Sequence, residues 1–423
     1  MKQYKKYIEV LKYFSKPKHN SIFKKNIIQD LLDANLLVKD KYIKKEVERK
    51  KNKEYISKWI KSLNNREMIE NLNLSISEEC NFVCPNCCRF YTKNLRKHNN
   101  NDKIMGYEVA KKAVDYYIQN ICVPQNQIPV IHFGADEPLL NFKTVKKIIK
   151  YIKKINPSSR LSLNTNLVLL KKEMALFFKK HNVQICTSLD GFEHGNNKVR
   201  KYKNKKGTFK DIISKINLLN EIDYPLKGLI VTIFDDNWQD INFEYIDWLK
   251  KMGIETIAID VDLVNNMNHD KDECVNKLFK LYKYINNLGL TCGGLWLNPY
   301  ELLLNGSDSI PAYCKGIKGL GISVSYNGNL FLCTGSKKKL GHIDNIKEIF
   351  SNNSKFTNYV EELLNTENTE CENCIIEGVC RNLCLMTDEV SEATKNNRKE
   401  EICYIHRKLT KLLLKNKLEQ ETS

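Results

Sequence analysis

Three cysteines stand within eight residues in Cys80-Asn81-Phe82-Val83-Cys84-Pro85-Asn86-Cys87, a C-x3-C-x2-C spacing. Thiolates this close along the chain can wrap one face of a cubane iron–sulfur cluster and leave one iron without a protein ligand. That open iron is the chemical point: a fourth cysteine would make an electron carrier, whereas three leave room for a ligand to chelate. A zinc knuckle is the alternative, although zinc sites usually take four nitrogen or sulfur ligands, commonly as two C-x2-C pairs. Cys88 offers a C-x3-C-x3-C register instead and is read as a bystander.

A second constellation lies towards the C-terminus. Cys314, Gly328 and Cys333 are followed by Cys371-x2-Cys374-x5-Cys380-x3-Cys384 and then Cys403. In a reducing cytosol such cysteines are poor disulfide candidates and good metal ligands, with a pair of structural zinc sites as the rival reading. Tyr326-Asn327-Gly328-Asn329 reads as a hairpin turn whose Asn-Gly pair takes positive backbone angles and aims Cys333 back towards Cys314. Cys122, Cys186 and Cys274 are read as small buried hydrophobes. His132 is expected to be a packed, hydrogen-bonded histidine, and Trp296 either walls a channel or packs in the core.

The elements that must position these residues alternate. Short apolar strands are expected at Leu72-Ser77, Pro129-Gly134, Arg160-Thr165, Val183-Ser188, Leu226-Ile233 and Thr256-Asp260, with amphipathic helices between them. The clearest helix is Phe142-Ile155, with Phe142, Val145, Ile148, Ile149, Ile152 and Ile155 on one side and lysines on the other. Six βα units imply an α/β fold with a parallel sheet. A partial six-stranded barrel is the expected closure, with any active site at the C-terminal strand ends.

The chain has 423 residues, 42% hydrophobic and 28% charged, with a net charge of +18. Its first 70 residues hold 19 Lys and Arg against 9 Asp and Glu, so +10 of that charge lies there. No apolar run approaches the ~18 residues of a membrane span, and no signal-peptide core follows Met1, so a cytoplasmic location is expected. A secreted disulfide scaffold and an integral membrane protein are excluded. Tyr7, Leu11 and Phe14, then Ile27, Ile28, Leu31 and Leu32, space as two short helices that suit a small winged-helix module, with Lys39 to Lys61 a linker or solvated helix.

In this order on successive strand ends, the motifs resemble the radical S-adenosylmethionine (radical SAM) superfamily. The resemblance implies that Cys80, Cys84 and Cys87 hold a [4Fe–4S] cluster that chelates SAM. Phe133 to Leu140 is similar to the family's Gly-Gly-Glu-Pro segment, so that Gly134, Asp136 and Glu137 would grip the methionine amino group; Asp136 stands where the second glycine is usual. Asn164-Thr165-Asn166 resembles a Thr-Asn-Gly turn, with Leu167 in place of glycine. Ser188-Leu189-Asp190-Gly191 resembles the Ser-Leu-Asp-Gly signature, whose serine would bond the ribose, and Arg200 would pair with the methionine carboxylate. Asn86 occupies a position that is usually aromatic and contacts adenine.

The seven later cysteines resemble the SPASM extension, which implies two auxiliary [4Fe–4S] clusters. By that resemblance Cys314, Cys333 and Cys384 serve the barrel-proximal cluster, and Cys371, Cys374, Cys380 and Cys403 the distal one. Some relatives add an earlier cysteine; here either Cys292 reaches back or one iron is open to a substrate thiol. The implied organisation is a peptide-recognition module over 1–65, a radical SAM partial barrel over 70–290, a SPASM domain over 291–405 and a basic C-terminal helix over 406–423.

The resemblance also implies reductive cleavage of SAM to a 5′-deoxyadenosyl radical that takes hydrogen from a substrate, in an anaerobic cytosol. The expected substrate is a ribosomally made precursor peptide with an acidic leader, cross-linked through a thioether or another bond. The expected reductant is a low-potential donor of the flavodoxin or ferredoxin type. An anaerobic sulfatase-maturating enzyme is the rival, weakened because such enzymes usually carry Asp directly after the second SPASM cysteine, where this chain has Thr334. RNA modification and a zinc-binding non-enzyme are further rivals; neither a membrane nor a nucleic-acid partner is expected. No general base can be named from the sequence.

Overall fold

The computed structural model describes residues 45–64, 69–89, 91, 103–305, 312–351, 354–366, 371, 374–376, 379–381, 383–395 and 397–422. The expected winged-helix pattern over residues 4–41 lies outside the described residues.

All six expected strands form: β1 (Asn71–Ser75), β2 (Val130–Gly134), β3 (Arg160–Asn164), β4 (Val183–Ser188), β5 (Gly228–Ile233) and β6 (Thr256–Val261). Each pairs in parallel with the next, as in Leu72 opposite Ile131 and Thr232 opposite Asp260. The sheet continues at both edges: β7 (Thr291–Gly293) joins β6 and β8 (Gly321–Val324) joins β1, both in parallel. It ends in an antiparallel meander of β9 (Asn329–Phe331) and β10 (Gly341–His342). Among the described residues β7 and β8 do not pair, so the barrel is partial. One sheet thus runs across the expected boundary at residues 290 and 291.

Helix α1 (Lys45–Asn64) precedes the sheet. The crossovers are α2 (Tyr107–Tyr117), α3 (Phe142–Ile155), α4 (Lys172–Lys180), α5 (Glu193–Val199), α6 (Phe209–Glu221), α7 (Phe243–Lys251) and α8 (Lys271–Asn287), followed by α9 (Asn298–Asn305), α10 (Lys355–Asn365), α11 (Leu385–Thr394) and α12 (Arg398–Thr422). In α3 the spacing of Val145, Ile148, Ile149 and Ile152 makes one fully buried stripe, while Ile155, expected on that face, is exposed beyond it. Helix α8 starts at a reciprocal cap: Asp270 Oδ1 accepts from Glu273 N at 2.8 Å and Glu273 Oε2 accepts from Asp270 N at 3.0 Å.

Two terminal segments differ from expectation. The C-terminal half of α1 is neither linker nor solvated helix. Ile56, Trp59, Ile60 and Leu63 are buried, α1 packs against α10, and Trp59 Nε1 donates to Lys318 O at 2.9 Å. Gly319 permits this approach: at φ +73° a Cβ there would meet Val360 at 2.9 Å and Leu63 at 3.1 Å. At the other end the basic helix begins at Arg398 rather than near residue 406. It contains Cys403 and lays Ile402, Ile405, Leu409 and Leu413 against the core, with α8 as a principal partner.

Strand alternation separates the two faces of the sheet. Leu72, Ile131, Leu161, Val183, Leu229 and Ile257 are buried under the helices. The alternate residues Asn73, His132, Ser162, Cys186, Thr232 and Asp260 are half-buried and line the inner face. Cys186 therefore belongs to this polar inner face and not to the hydrophobic core.

Candidate active site at the strand ends

Because the strands are parallel, the segments after β1 to β6 all emerge at one edge of the sheet. After β1, Ser77 Oγ accepts from Glu79 N at 3.0 Å and turns the chain into the cysteine loop. That loop is pinned from within and from without. Cys87 N donates to Cys84 O at 3.1 Å, Val83 N donates to Lys201 O at 2.8 Å, and the Phe82 ring meets Tyr202 edge-on at 5.3 Å. Asn166 Nδ2 lies 3.7 Å from Cys80 Sγ and donates to Asn81 Oδ1 at 2.9 Å, linking the loop to the end of β3.

Burial pushes the Cys80 thiol up to about 12 and the Cys84 thiol up to about 11, with Arg200 opposing the latter. Negative charge on Cys84 weighs on Cys80, and that on Cys87 weighs on Cys84, so the three thiols share one locality. Thiols so placed become thiolates only with a strong positive centre beside them. Three thiols in one locality at C-x3-C-x2-C spacing are a donor set that suits a cubane with one iron left open. Asn86 Oδ1, beside Cys87, is buried with no hydrogen-bond partner, as expected of an acceptor waiting for a ligand donor.

After β2, Ala135 takes φ +69° and after β3 Leu167 takes φ +68°. Both turns thus keep the left-handed conformation that glycine adopts freely, although neither residue is glycine. Glu137 is fully buried and faces its own protein. Its Oε1 accepts from Thr165 Oγ1 at 2.7 Å and Leu139 N at 2.9 Å, and its Oε2 accepts from Asn166 N at 2.8 Å. Burial outweighs these donors and pushes the carboxyl up to about 7. Glu137 thereby locks the turns after β2 and β3 together. Asp136 is drawn into an ion pair with Arg89 at 3.3 Å, and Arg89 also reaches Glu78 at 3.6 Å and donates to Thr334 O. The buried Arg89 guanidinium thus ties the cysteine loop, the β2 turn and the residue after Cys333 to one point.

Asp190 is turned towards its own protein. The side chain is fully buried, its Oδ2 accepts from Arg200 Nε at 2.6 Å and its Oδ1 accepts from Thr232 N at 2.8 Å. It is a positioning residue for Arg200, whose guanidinium stands within electrostatic reach of Cys84 and Cys87. Gly191, at φ +102°, completes this corner by letting Asp240 approach; a Cβ there would meet Asp240 Cβ at 2.8 Å. Ser188 closes β4 on the inner face, and Asn164 lies exposed at the end of β3. Sequence reasoning passed over Arg89 and Thr232, and quoted Thr165 and Asn166 only as parts of a turn motif. A buried arginine two residues past the third cysteine was the signal available for the first.

The later cysteines fall into two groups. Cys384 donates to Cys314, which draws the Cys314 thiol down and pushes that of Cys384 up. A methyl group on Gly316 would meet Cys333 Cβ at 3.5 Å and Cys314 Sγ at 3.7 Å, so Cys333 completes this trio. Cys380 is pushed up to about 12 by burial, with further contributions from Cys403, Cys371 and Cys374. Cys292 joins neither group: it is buried on β7 and feels Asp260 and Glu301. The hairpin before Cys333 takes positive φ only at Gly328, at +83°, where the Asn-Gly pair was expected to supply two such residues. Trp296 packs in the core and donates to Ile259 O at 2.7 Å, and His132 bonds Ser162 on the inner face.

Residues 74–243 match the family model of the radical SAM superfamily. The chain is 25% identical over 384 residues to the radical SAM cyclopropyl synthase TigE of Paramaledivibacter caminithermalis, across 87% of this chain and 78% of the relative. It is 24% identical over 334 residues to the cysteine-type anaerobic sulfatase-maturating enzyme of Clostridium novyi, across 74% and 87%. The fold matches Streptococcus suis SuiB, solved with its precursor peptide SuiA, at a TM-score of 0.57 and 14% identity, over 91% of this chain and 84% of that one. Residues 74–243 thus carry a radical SAM domain, and enzymes with that domain use SAM and a [4Fe–4S] cluster.

Proposed function

We propose that this enzyme is a peptide maturase of the SPASM type, in which Cys80, Cys84 and Cys87 hold the SAM-chelating cluster and the two later cysteine groups hold auxiliary [4Fe–4S] clusters. The observation that carries the reading is the division of the later cysteines into a trio and a quartet, with the trio joined to the cysteine loop through Arg89. Once bound, SAM and its cluster supply a 5′-deoxyadenosyl radical able to remove a hydrogen atom from an unactivated carbon. The protein's part is to bind and orient. Arg200, held by Asp190, meets the methionine carboxylate; the backbone of the Gly134 to Asp136 turn, fixed by Glu137, meets its ammonium; Ser188 and Asn86 meet ribose and adenine. Asn164 lies close by on the exposed rim.

The substrate in this reading is a ribosomally made precursor peptide, as the SuiB–SuiA complex suggests, with an acidic leader attracted by the basic N-terminal residues. Bond formation would remove two hydrogens from the peptide, one as an atom taken by the 5′-deoxyadenosyl radical and one as a proton released to solvent with its electron passed to an auxiliary cluster, whether the product is a thioether or a new carbon–carbon bond. With Cys292 elsewhere, a cluster held by the trio would have room for a substrate thiolate. The rival is sulfatase maturation, favoured by the Clostridium novyi relative and opposed by Thr334 after Cys333. The test is the intact mass of a candidate precursor peptide co-expressed anaerobically with the enzyme, with Cys84→Ala as control. A loss of two hydrogens per modification that vanishes in the variant supports the reading. An unchanged precursor together with conversion of a sulfatase peptide to formylglycine supports the rival.

A further inference from the structure

The hairpin beside the cysteine loop carries a dense run of positive charge. Residues 198–210 contain seven Lys and Arg and no acidic residue. Their central part folds into a tight hairpin in which Lys201 bridges Gly207, Tyr202 N donates to Lys206 O at 3.0 Å, and Lys205 takes φ +66° at the tip. This hairpin is built onto the cysteine loop by the Phe82–Tyr202 bridge, the edge-on ring contact and the Val83 N to Lys201 O bond. Lys203, Lys205 and Lys206 are exposed, and among the described residues none of them forms an ion pair, unlike Lys198 with Asp236 and Lys210 with Glu193. Beside them Val83 is 53% exposed, although both its neighbours, Phe82 and Cys84, are at least partly buried.

An exposed apolar side chain on a loop to which a hairpin with three unpaired lysines is bonded suits a small, transient, electrostatically steered contact. Its place says what the contact is for. Val83 is one residue, or about 3.8 Å between Cα atoms, from the cluster ligand Cys84, and it lies on the solvent side of the loop. We propose that the Lys203–Lys206 hairpin and Val83 form the docking surface for an acidic, low-potential one-electron carrier protein of the flavodoxin type. This inference rests on the assignment of Cys80, Cys84 and Cys87 to a cluster and names the entry side of its electron. The step is a bare electron transfer: the anionic flavodoxin hydroquinone is oxidised to the neutral semiquinone with no change in its protons, while the cluster gains one electron and no group crosses the interface. An acidic leader peptide is the other polyanion that could seek these lysines, but it gains nothing from contact with Val83 at a cluster ligand.

The experiment uses the cluster-loaded full chain, with Lys203→Glu/Lys205→Glu/Lys206→Glu as the main variant and the corresponding triple Lys→Gln change as a milder second. A bacterial flavodoxin is the probe, and two quantities are read: its Kd for the enzyme as a function of salt, and the rate at which its hydroquinone bleaches the cluster absorbance, with dithionite as a small-molecule reference. The expected result is a loss of at least 10-fold in both flavodoxin quantities for the triple Glu variant, a smaller loss for the Gln variant, a flattened salt dependence and an unchanged dithionite rate. Unchanged flavodoxin affinity and rate would overturn the proposal, as would a loss confined to precursor-peptide affinity. Peptide modification driven by dithionite is scored separately, so failure of the maturase reading leaves this result standing and the reverse also holds.

Discussion

At the scale of single residues, the site is held by buried charges that the ligand never needs to touch. Arg89 neutralises Asp136 and Glu78 where little water reaches. Removing one partner of a buried ionic cluster leaves the others uncompensated, at about 3–5 kcal/mol. Arg89→Ala should therefore lower the stability of the metal-free protein by that order in urea unfolding, and Arg89→Lys by less, because it keeps the charge and loses the fork. Asp260 gives a pH signature. It lies on the inner face, accepts from Leu295 N at 2.7 Å, and burial raises it from 3.8 to about 7. The folded state then binds more protons than the unfolded one between those values, so this contribution is fully present below about 3.8 and is lost as pH rises through about 7. Asp260→Asn keeps the acceptor and cannot ionise. Its stability relative to wild type should rise between pH 4 and pH 8 in denaturant melts, and a pH-independent difference would contradict the assignment.

At the scale of elements, the amphipathic pattern located strands and crossovers because packing acts on the same periodicity that the sequence displays. The six strands and α3 were legible for that reason. The end of α1 was not, since its lysines outnumber the four apolar residues that meet α10 and the strand-edge turn at Lys318. Trp59→Ala removes that packing and an indole hydrogen bond, so a loss of about 3–5 kcal/mol is expected in thermal or chemical unfolding. A change within experimental error would mean that α1 is not bound to the C-terminal region in solution. Edge strands β7 and β8 were likewise illegible: three or four residues carry too little pattern, and only hydrogen bonding to β6 and β1 makes them strands.

At the scale of the whole molecule, three cysteine groups are placed along one continuous sheet and its C-terminal cap, so their occupancy can be read independently. Anaerobically reconstituted Cys84→Ala should lose about four irons and four acid-labile sulfides relative to wild type, and Cys380→Ala a similar amount while keeping SAM binding. Loss of all iron in either variant would indicate that the groups are not separate sites.

The sequence by itself determined the ligand types, the strand–helix alternation and the order of the turns, because cysteine spacing and apolar periodicity are local properties of the chain. Tertiary structure decided which side chains face the ligand and which face one another. Asp190 and Glu137 look like contacts in a linear motif, but once buried without water their oxygens must be satisfied by Arg200, Thr232, Thr165 and backbone amides from distant strands. The division of seven cysteines into a trio and a quartet, and the seating of a lysine hairpin on the cysteine loop, are long-range pairings of the same kind. Sequence separation carries no distance information until the sheet closes the gaps.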